Sequence, residues 1–232
     1  MKVAIIQSNY LPWKGYFDII HDVDLFIFHD DLQYTKQDWR NRNQIKTPKS
    51  KKWITIPVGR KAEHLMIEAV EPTSTDWQKE HWNTIKVNYG QSPGFQLFSD
   101  FFSDFYLKQR WSNLSKLNQY LIREISKFLG SDTSFINSGP LKLRGARTDK
   151  VINLLKEVKA TQYVSGPTAR GYIEQDKFDK AGIELLFKNY EGYPHYPQFG
   201  DKFDHAVSII DLLFQNGLDT PYFIWGWRAN PK

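Results

Sequence analysis

VAIIQSNYLPWKGYFDIIHDVDLFIFHDDLQYTKQDWRNRNQIK, residues 3–46, is the stretch whose reading decides the fold. The runs at 3–6 and 24–28 are brief, β-branched or aromatic, and bounded by polar and turn residues, so they read as buried parallel strands. The segment 15–21 between them has room for a short helix. The chain therefore opens as a strand-helix-strand unit, and in open α/β sheets ligands bind beyond the carboxyl ends of the strands. Gln7, Ser8, Asn9 and Tyr10 follow the first strand, and His29, Asp30, Asp31 and Gln33 follow the second. Both groups are expected to face one crevice.

Composition narrows the class. The chain has 232 residues, 41% hydrophobic and 16% aromatic, enough for a folded core. No run approaches the roughly 18 apolar residues of a membrane span, and the N-terminus enters a strand directly, so cytoplasm is the expected location. With no cysteine, disulfides, thiol nucleophiles and thiolate metal sites are excluded. Any nucleophilic chemistry must use oxygen or imidazole. The net charge of +5 is unevenly spread. Between residues 35 and 60, Lys36, Arg40, Arg42, Lys46, Lys49, Lys51, Lys52 and Arg60 face one acid, Asp38, which favours anionic ligands such as phosphates. The lysines of 46–52 read as a solvated loop. Arg40, Asn41, Arg42 and Asn43, beside Trp39, are suited to reading a phosphate and a ring together. An extended backbone places Arg40 and Arg42 on one face.

Punctuation along the chain divides it into three: an N-terminal α/β unit at 1–75, a helical insertion at 76–130, and a C-terminal α/β unit at 131–232. The fold class is α/β, with a parallel or mixed sheet built from strand-helix-strand units in both halves. In the first unit, 53–58 reads as a third strand and 66–70 as a continuation of the sheet. Asp76 caps a helix over 77–89, the glycines and proline at 90–94 break it, and helical pieces follow at 95–108 and 111–129. The last third alternates strands at 133–137, 162–164 and 182–187 with helices at 148–159, 175–181 and 206–214. That order argues for parallel pairing.

Four motifs carry chemistry. Lys14 and Gly15 at a helix start can bind an anion through free amides and a point charge. This strand-loop-helix is similar to that of nucleotidylyltransferases and adenylate-forming amide ligases, with Tyr16 where their histidine stands. His29-Asp30-Asp31 can act as a general base, hold hydrated magnesium or bind a sugar's hydroxyls or amine; the two carboxylates point to opposite sides if the strand continues. The segment SGPTARGY at 165–172 follows a strand and offers amides, hydroxyls and a guanidinium to an anion, with Ser165, Gly166 and Tyr172 as contacts. It lacks the Gly-Lys-Ser/Thr ending of a phosphate loop and the first glycine of a nucleophile elbow. YPHYPQF at 193–199, fixed by two prolines, presents His195, Tyr196 and Gln198 to a ring. His205, just before the last helix, is the second candidate acid-base group beside Asp30.

The blocks QSNYLPWKGYFD, FHDDLQYTKQDWRNRN, YVSGPTARGYI and YPHYPQFGDKF with SIIDLLFQNG, in this order, resemble the WbqC-like family of bacterial polysaccharide and O-antigen biosynthesis. Two departures stand out. Ile6-Gln7-Ser8 replaces a usual His-Gln-Pro, and Asp204-His205-Ala206-Val207-Ser208 replaces a more frequent Asn-Leu-Ser pattern. The resemblance implies a transferase or ligase acting on a nucleotide-linked amino sugar, with aminoacyl transfer such as glycylation one version. Asp30 or His205 then deprotonates the amine while amides and Arg42 stabilise anionic parts. The acyl donor is open between an ATP-derived adenylate and an aminoacyl-tRNA. The alternatives are a nucleotidyltransferase-like enzyme and a non-catalytic nucleic-acid-binding module, the latter drawn from tryptophans interleaved with basic residues at 36–53.

Overall fold

The computed structural model describes residues 1–141, 148–200 and 202–229. In chain order its main elements are β1 (Lys2–Ile6), α1 (Lys14–His21), β2 (Leu25–Phe28), β3 (Arg42–Lys46), β4 (Lys51–Thr55), α2 (Asp76–Tyr89), α3 (Phe95–Ser103) and α4 (Leu114–Phe128). Then come β5 (Ser134–Asn137), α5 (Thr148–Glu157), β6 (Gln162–Ser165), α6 (Gln175–Ala181), β7 (Glu184–Phe187) and α7 (Ile209–Asn216). Five strands form one parallel sheet in the order β5-β2-β1-β6-β7. Strands from both halves of the sequence thus share a single sheet. Counted in chain order, its strands lie third, second, first, fourth, fifth, so the winding reverses between β1 and β6. That is a topological switch point.

Side-chain alternation sorts the strands onto two cores. Val3, Ile5, Leu25, Ile27 and Tyr163 face one side, where they pack with Ile152, Leu155, Phe178 and Ile183. Ala4, Phe26, Phe28 and Val164 face the other. That second core also takes Tyr16 and Phe17 of α1, the aromatic stripes of α2 and α3, Leu117 and Leu121 of α4, and Ile209 to Phe214 of the last helix. The helical insertion therefore packs directly on the sheet and shares its core.

Three expectations change. Residues 53–58 do not extend the sheet: β4 pairs antiparallel with β3 in a separate two-stranded hairpin, Ile54 opposite Asn43 and Trp53 opposite Gln44. Residues 66–70 form a short 3-10 turn at Ile67–Ala69 in place of a strand, its entry tied by Ile67 N–H donating to the Leu32 carbonyl. The helix expected to be capped by Asp76 begins at Asp76 itself, with Thr75 preceding it and no side-chain cap. The aromatic segment after α3 winds as a π-helical turn, Asp104–Lys108. The end of a helix leaves its last carbonyls short of partners. Gln78 and Trp111 supply them, donating to Tyr106, Gln109 and Phe105 at 3.1, 2.7 and 3.0 Å. Among the described residues no helix is long and apolar enough to cross a membrane.

Candidate active-site cleft

A cleft opens at the switch point, between the loop leaving β1 and the loop leaving β6. Gln7 and Asn9 line it from the first loop and Ser165, Gly166 and Thr168 from the second, and Trp13, Trp39 and Tyr190 add rings to the lining. At its mouth Trp13, Pro12, Trp39 and Ala206 make an apolar recess, and Asn9 and Asn43 are its polar groups. Beside the cleft a cavity of about 570 Å³ shares Gln7, Ser165 and Tyr172 with it and extends to His29 and Lys150. Gln7, Asn9, Ser165, Gly166 and Tyr172 are thus brought together, as their positions after strands imply.

Trp13 reaches the cleft because Gly15 has no side chain. A Cβ on Gly15 would lie 2.2 Å from the indole, so only glycine lets the ring lie across the start of α1. The same placement displaces the expected anion site there. Lys14 turns away, 2% exposed, over the rings of Tyr193 and Tyr196, and donates to the Phe223 carbonyl at 3.3 Å. Burial lowers its pKa to about 8, against the opposing pull of Asp18. The turn before Trp13 passes through Leu11 in the left-handed region, φ 44°. Asn43 holds it: its amide donates to the Leu11 carbonyl at 2.7 Å and its oxygen accepts from Gln44 N–H at 2.8 Å.

Several candidate residues are committed to the scaffold. Tyr10 is fully buried, its hydroxyl bonded to Tyr106 and, at 2.9 Å, to His81. Asn41 accepts from Tyr34 and donates to the Ile56 carbonyl, both at 2.8 Å. Gln33 donates to the Glu63 carbonyl at 2.7 Å. Tyr196 and Gln198 both donate to the buried Asp211, at 2.8 and 2.6 Å. His195, which the two prolines leave exposed, stacks on Phe203 at 4.2 Å. His205 packs against Tyr193, His195 and Phe203; burial, then Lys14 and His195, lowers its pKa to about 4, so it is neutral at pH 7. Its neighbour Ala206 lines the mouth of the cleft.

The two arginines part company. Arg40 lies in the turn before β3 and donates to Asn9 and, at 3.1 Å, to Gln7, so it braces the cleft wall. Arg42 stands at the start of β3, stacks on Trp53 at 4.3 Å and donates to the Gln37 carbonyl at 2.7 Å. A shared face is not observed, because the backbone becomes regular strand only at Arg42. Lys46, expected in a solvated loop, is 8% exposed and donates to the Lys202 carbonyl at 2.7 Å.

Asp30 and Asp31 do point to opposite sides. Asp30 is buried and turned away from the cleft, toward a separate cavity beside Gln119 and Asn137. Its carboxylate accepts from Ser8 N–H at 2.7 Å, the Ser115 hydroxyl at 2.5 Å and Gln119 at 3.0 Å. Three donors therefore engage the carboxylate within the scaffold. Asp30 instead clamps the loop after β1 to α4. Asp30→Asn is expected to lower stability by about 1–3 kcal/mol, because one accepting oxygen becomes a donor facing another donor. A urea midpoint equal to that of the parent protein would show that the clamp carries no load.

Asp31 turns toward α5, bonded to Ser138 and to Lys150 at 2.6 Å. Burial alone would raise its carboxyl; Lys150, Ser138 and His29 together hold it below the usual range. His29 Nε2 lies 3.6 Å from Asp31. The sequence placed His29 at this strand end but gave it no separate role, and Lys150 read only as part of a helix. Trp13 and Trp39 were visible as aromatic residues in the decisive stretch; only the close approach at Gly15 shows why one of them lines the cleft.

No solved structure matches this chain. It is 44% identical to uncharacterized protein Rv1507c of Mycobacterium tuberculosis over 224 residues, covering 96% of this chain and 97% of that one. The WbqC-like family profile matches residues 7–222, which contain the cleft walls, the hairpin and the helical insertion, and the chain belongs to the WbqC-like protein family.

Proposed function

We propose that the cleft at the switch point is the active site of a transferase or ligase that acylates the amine of a nucleotide-linked amino sugar in surface-glycan assembly. The observation that carries this is the cleft's construction. Ring side chains, Trp13, Trp39 and Tyr190, line the cleft together with amides and hydroxyls from two strand ends, and the adjoining cavity adds the ionisable His29 and Lys150. Aromatic faces suit a base or sugar ring, and carboxamides suit hydroxyls. Membership in the WbqC-like family, with its glycan-biosynthesis-associated role, supports the sugar part of the reading. The acyl donor in this proposal is an adenylate made from ATP or an aminoacyl-tRNA, drawn in by the basic segment around Arg40 and Lys52.

A nucleic-acid-binding module is the second reading. Trp39 and Trp53, 43% and 41% exposed, lie 5.7 Å apart with their rings tilted by 30° and Arg42 over the latter, an exposed aromatic pair that suits single strands. Trp77, Trp82 and Trp225 are buried core and do not extend that pair. Melting temperature measured with UDP- and dTDP-sugars, ATP and tRNA separates the readings, since a ligand bound only by the native state raises it. The expected result is stabilisation by a nucleotide sugar. Stabilisation by tRNA or single strands alone, lost with added salt, would favour the module. Trp39→Ala is expected to weaken nucleotide-sugar binding about tenfold, the loss of roughly 1.4 kcal/mol of stacking. An unchanged dissociation constant would remove Trp39 from the site.

A further inference from the structure

His29 follows β2 directly and lines the cavity beside the cleft, 6% exposed. Among the described residues its buried Nε2 has no hydrogen-bond partner. Leaving such a nitrogen unpaired costs on the order of 1–3 kcal/mol, so a native fold that keeps one against a cavity points to a partner in the cavity. The nearest charged atom, Asp31 Oδ1 at 3.6 Å, is beyond a good hydrogen bond but close enough to stabilise an imidazolium. Asp31 is itself fixed by Lys150 and Ser138, so it stays ionised and in place.

We propose that His29 is the catalytic proton acceptor of the cleft, taking a proton on Nε2 from the amine of the bound amino sugar as that amine attacks an activated acyl ester or acyl phosphate. This rests on the acyl-transfer reading of the same cleft. In the step, the amine nitrogen forms a bond to the acyl carbon and the carbon–oxygen bond to the donor breaks. The electron pair leaves with the donor oxygen. The nitrogen's surplus proton passes to His29 Nε2 and from there to the departing oxygen or solvent. Asp31 stabilises the imidazolium without being protonated, and Gln7 after β1 and Ser165 at the end of β6 hold the sugar's hydroxyls.

The charge environment favours an unprotonated His29 at rest. Among the described residues the groups facing it are Asp30 and Asp31 on its own segment, Lys150 on α5, Tyr163 on β6 and Tyr172 in the loop after β6. Burial, reinforced by Lys150 and opposed by Asp31 and Asp30, lowers its pKa below the ordinary 6.5. Burial raises that of Tyr163 to about 12, which leaves it uncharged. Activity that needs the free base is therefore present at pH 7 and lost as pH falls through the lowered value.

The test follows His29 by nitrogen-15 resonance in histidine-labelled protein titrated with UDP-glucosamine and UDP-glucose, and follows amide formation from UDP-glucosamine and glycyl-adenylate. The expected result is a shift of the His29 Nε2 resonance with the amino sugar. His29→Gln is expected to bind UDP-glucosamine within threefold of the parent, lose 100-fold or more in turnover, and lose the acid limb of the pH profile. Wild-type protein that binds UDP-glucosamine while Nε2 stays unmoved overturns the inference alone, as does a variant with full turnover and the same acid limb. Wild-type protein that binds neither nucleotide sugar overturns the reading of the cleft, and the role of His29 falls with it.

Discussion

Asp18→Asn is expected to cost about 3–5 kcal/mol of folding stability, measured as a lowered urea midpoint at unchanged slope. Asp18 is fully buried in α1. It receives both terminal nitrogens of Arg228 at 2.8 and 2.7 Å, Lys188 at 2.9 Å and the Tyr193 hydroxyl at 2.5 Å. Lys188 continues from β7, Tyr193 belongs to the proline-fixed loop, and Arg228 lies past the last helix. One carboxylate therefore ties three C-terminal segments to the first helix. The amide would keep the shape and remove the charge, leaving the Arg228 guanidinium without its Asp18 counter-charge and Lys188, only 9% exposed, with the partly buried Asp22 at 3.3 Å alone. Removing one partner of a buried network is costly even where the whole network contributes little net stability.

The pH dependence checks the cause. Burial would raise the Asp18 carboxyl, but Arg228, Lys188 and Tyr193 outweigh it and hold the pKa below the ordinary value. A depressed carboxylate contributes stability above its unfolded pKa and loses it as pH falls through the folded one. The gap between parent and variant is thus expected to be full at pH 7 and to close only at acid pH. Asp211 provides the contrast. It is equally buried but accepts from neutral groups, Tyr89, Tyr196 and Gln198, and burial leaves its carboxyl raised. Asp211→Asn is expected to cost clearly less. Equal losses in the two variants would show that buried hydrogen bonding, and not unpaired cations, sets the scale.

What the sequence discloses and what it withholds follow from how local each cause is. The sheet strands are short apolar runs whose odd and even residues face different cores, a pattern present in the residues themselves. The hairpin escapes because β3 reads Arg-Asn-Gln-Ile-Lys: its stability comes from pairing with β4 and from Ile45 and Ile54 entering the large core, not from alternation. Asp30 looked like a base because it follows a strand. Its saturation depends on Ser115 and Gln119, 85 and 89 residues away, which no local pattern announces. His29 has the same position in the sequence and the opposite environment, since its neighbour Asp31 is held by Lys150, 119 residues on. Strand ends locate the cleft; long-range donors decide which side chain there remains free to react.

A fragment ending at Ser131 is expected to have no cooperative unfolding transition and to bind no nucleotide sugar. As a sequence, residues 1–131 look self-sufficient, with two strands, a hairpin and four helices. The sheet contradicts that appearance. β1 lies at its centre and would lose β6, while β2 would lose β5. Val3, Ile5, Leu25 and Ile27 would lose their core partners on one face, since Ile152, Leu155, Phe178 and Ile183 all come from beyond the cut. At about 1.5–3 kcal/mol for each such buried side chain, the loss matches or exceeds the whole stability of an ordinary domain. The opposite face would lose Ile209 to Phe214, and Asp18 would be left buried without Lys188, Tyr193 and Arg228. Circular dichroism on heating is expected to show a gradual, non-sigmoidal change for the fragment. Mixing it with residues 132–232 is expected to restore both a sharp transition and ligand-dependent stabilisation, because the cleft needs Gln7 from one piece and Ser165 from the other. A fragment that melts cooperatively by itself would mean that the helical face alone supports β1 and β2, and would separate the fold of the first half from the assembly of the cleft.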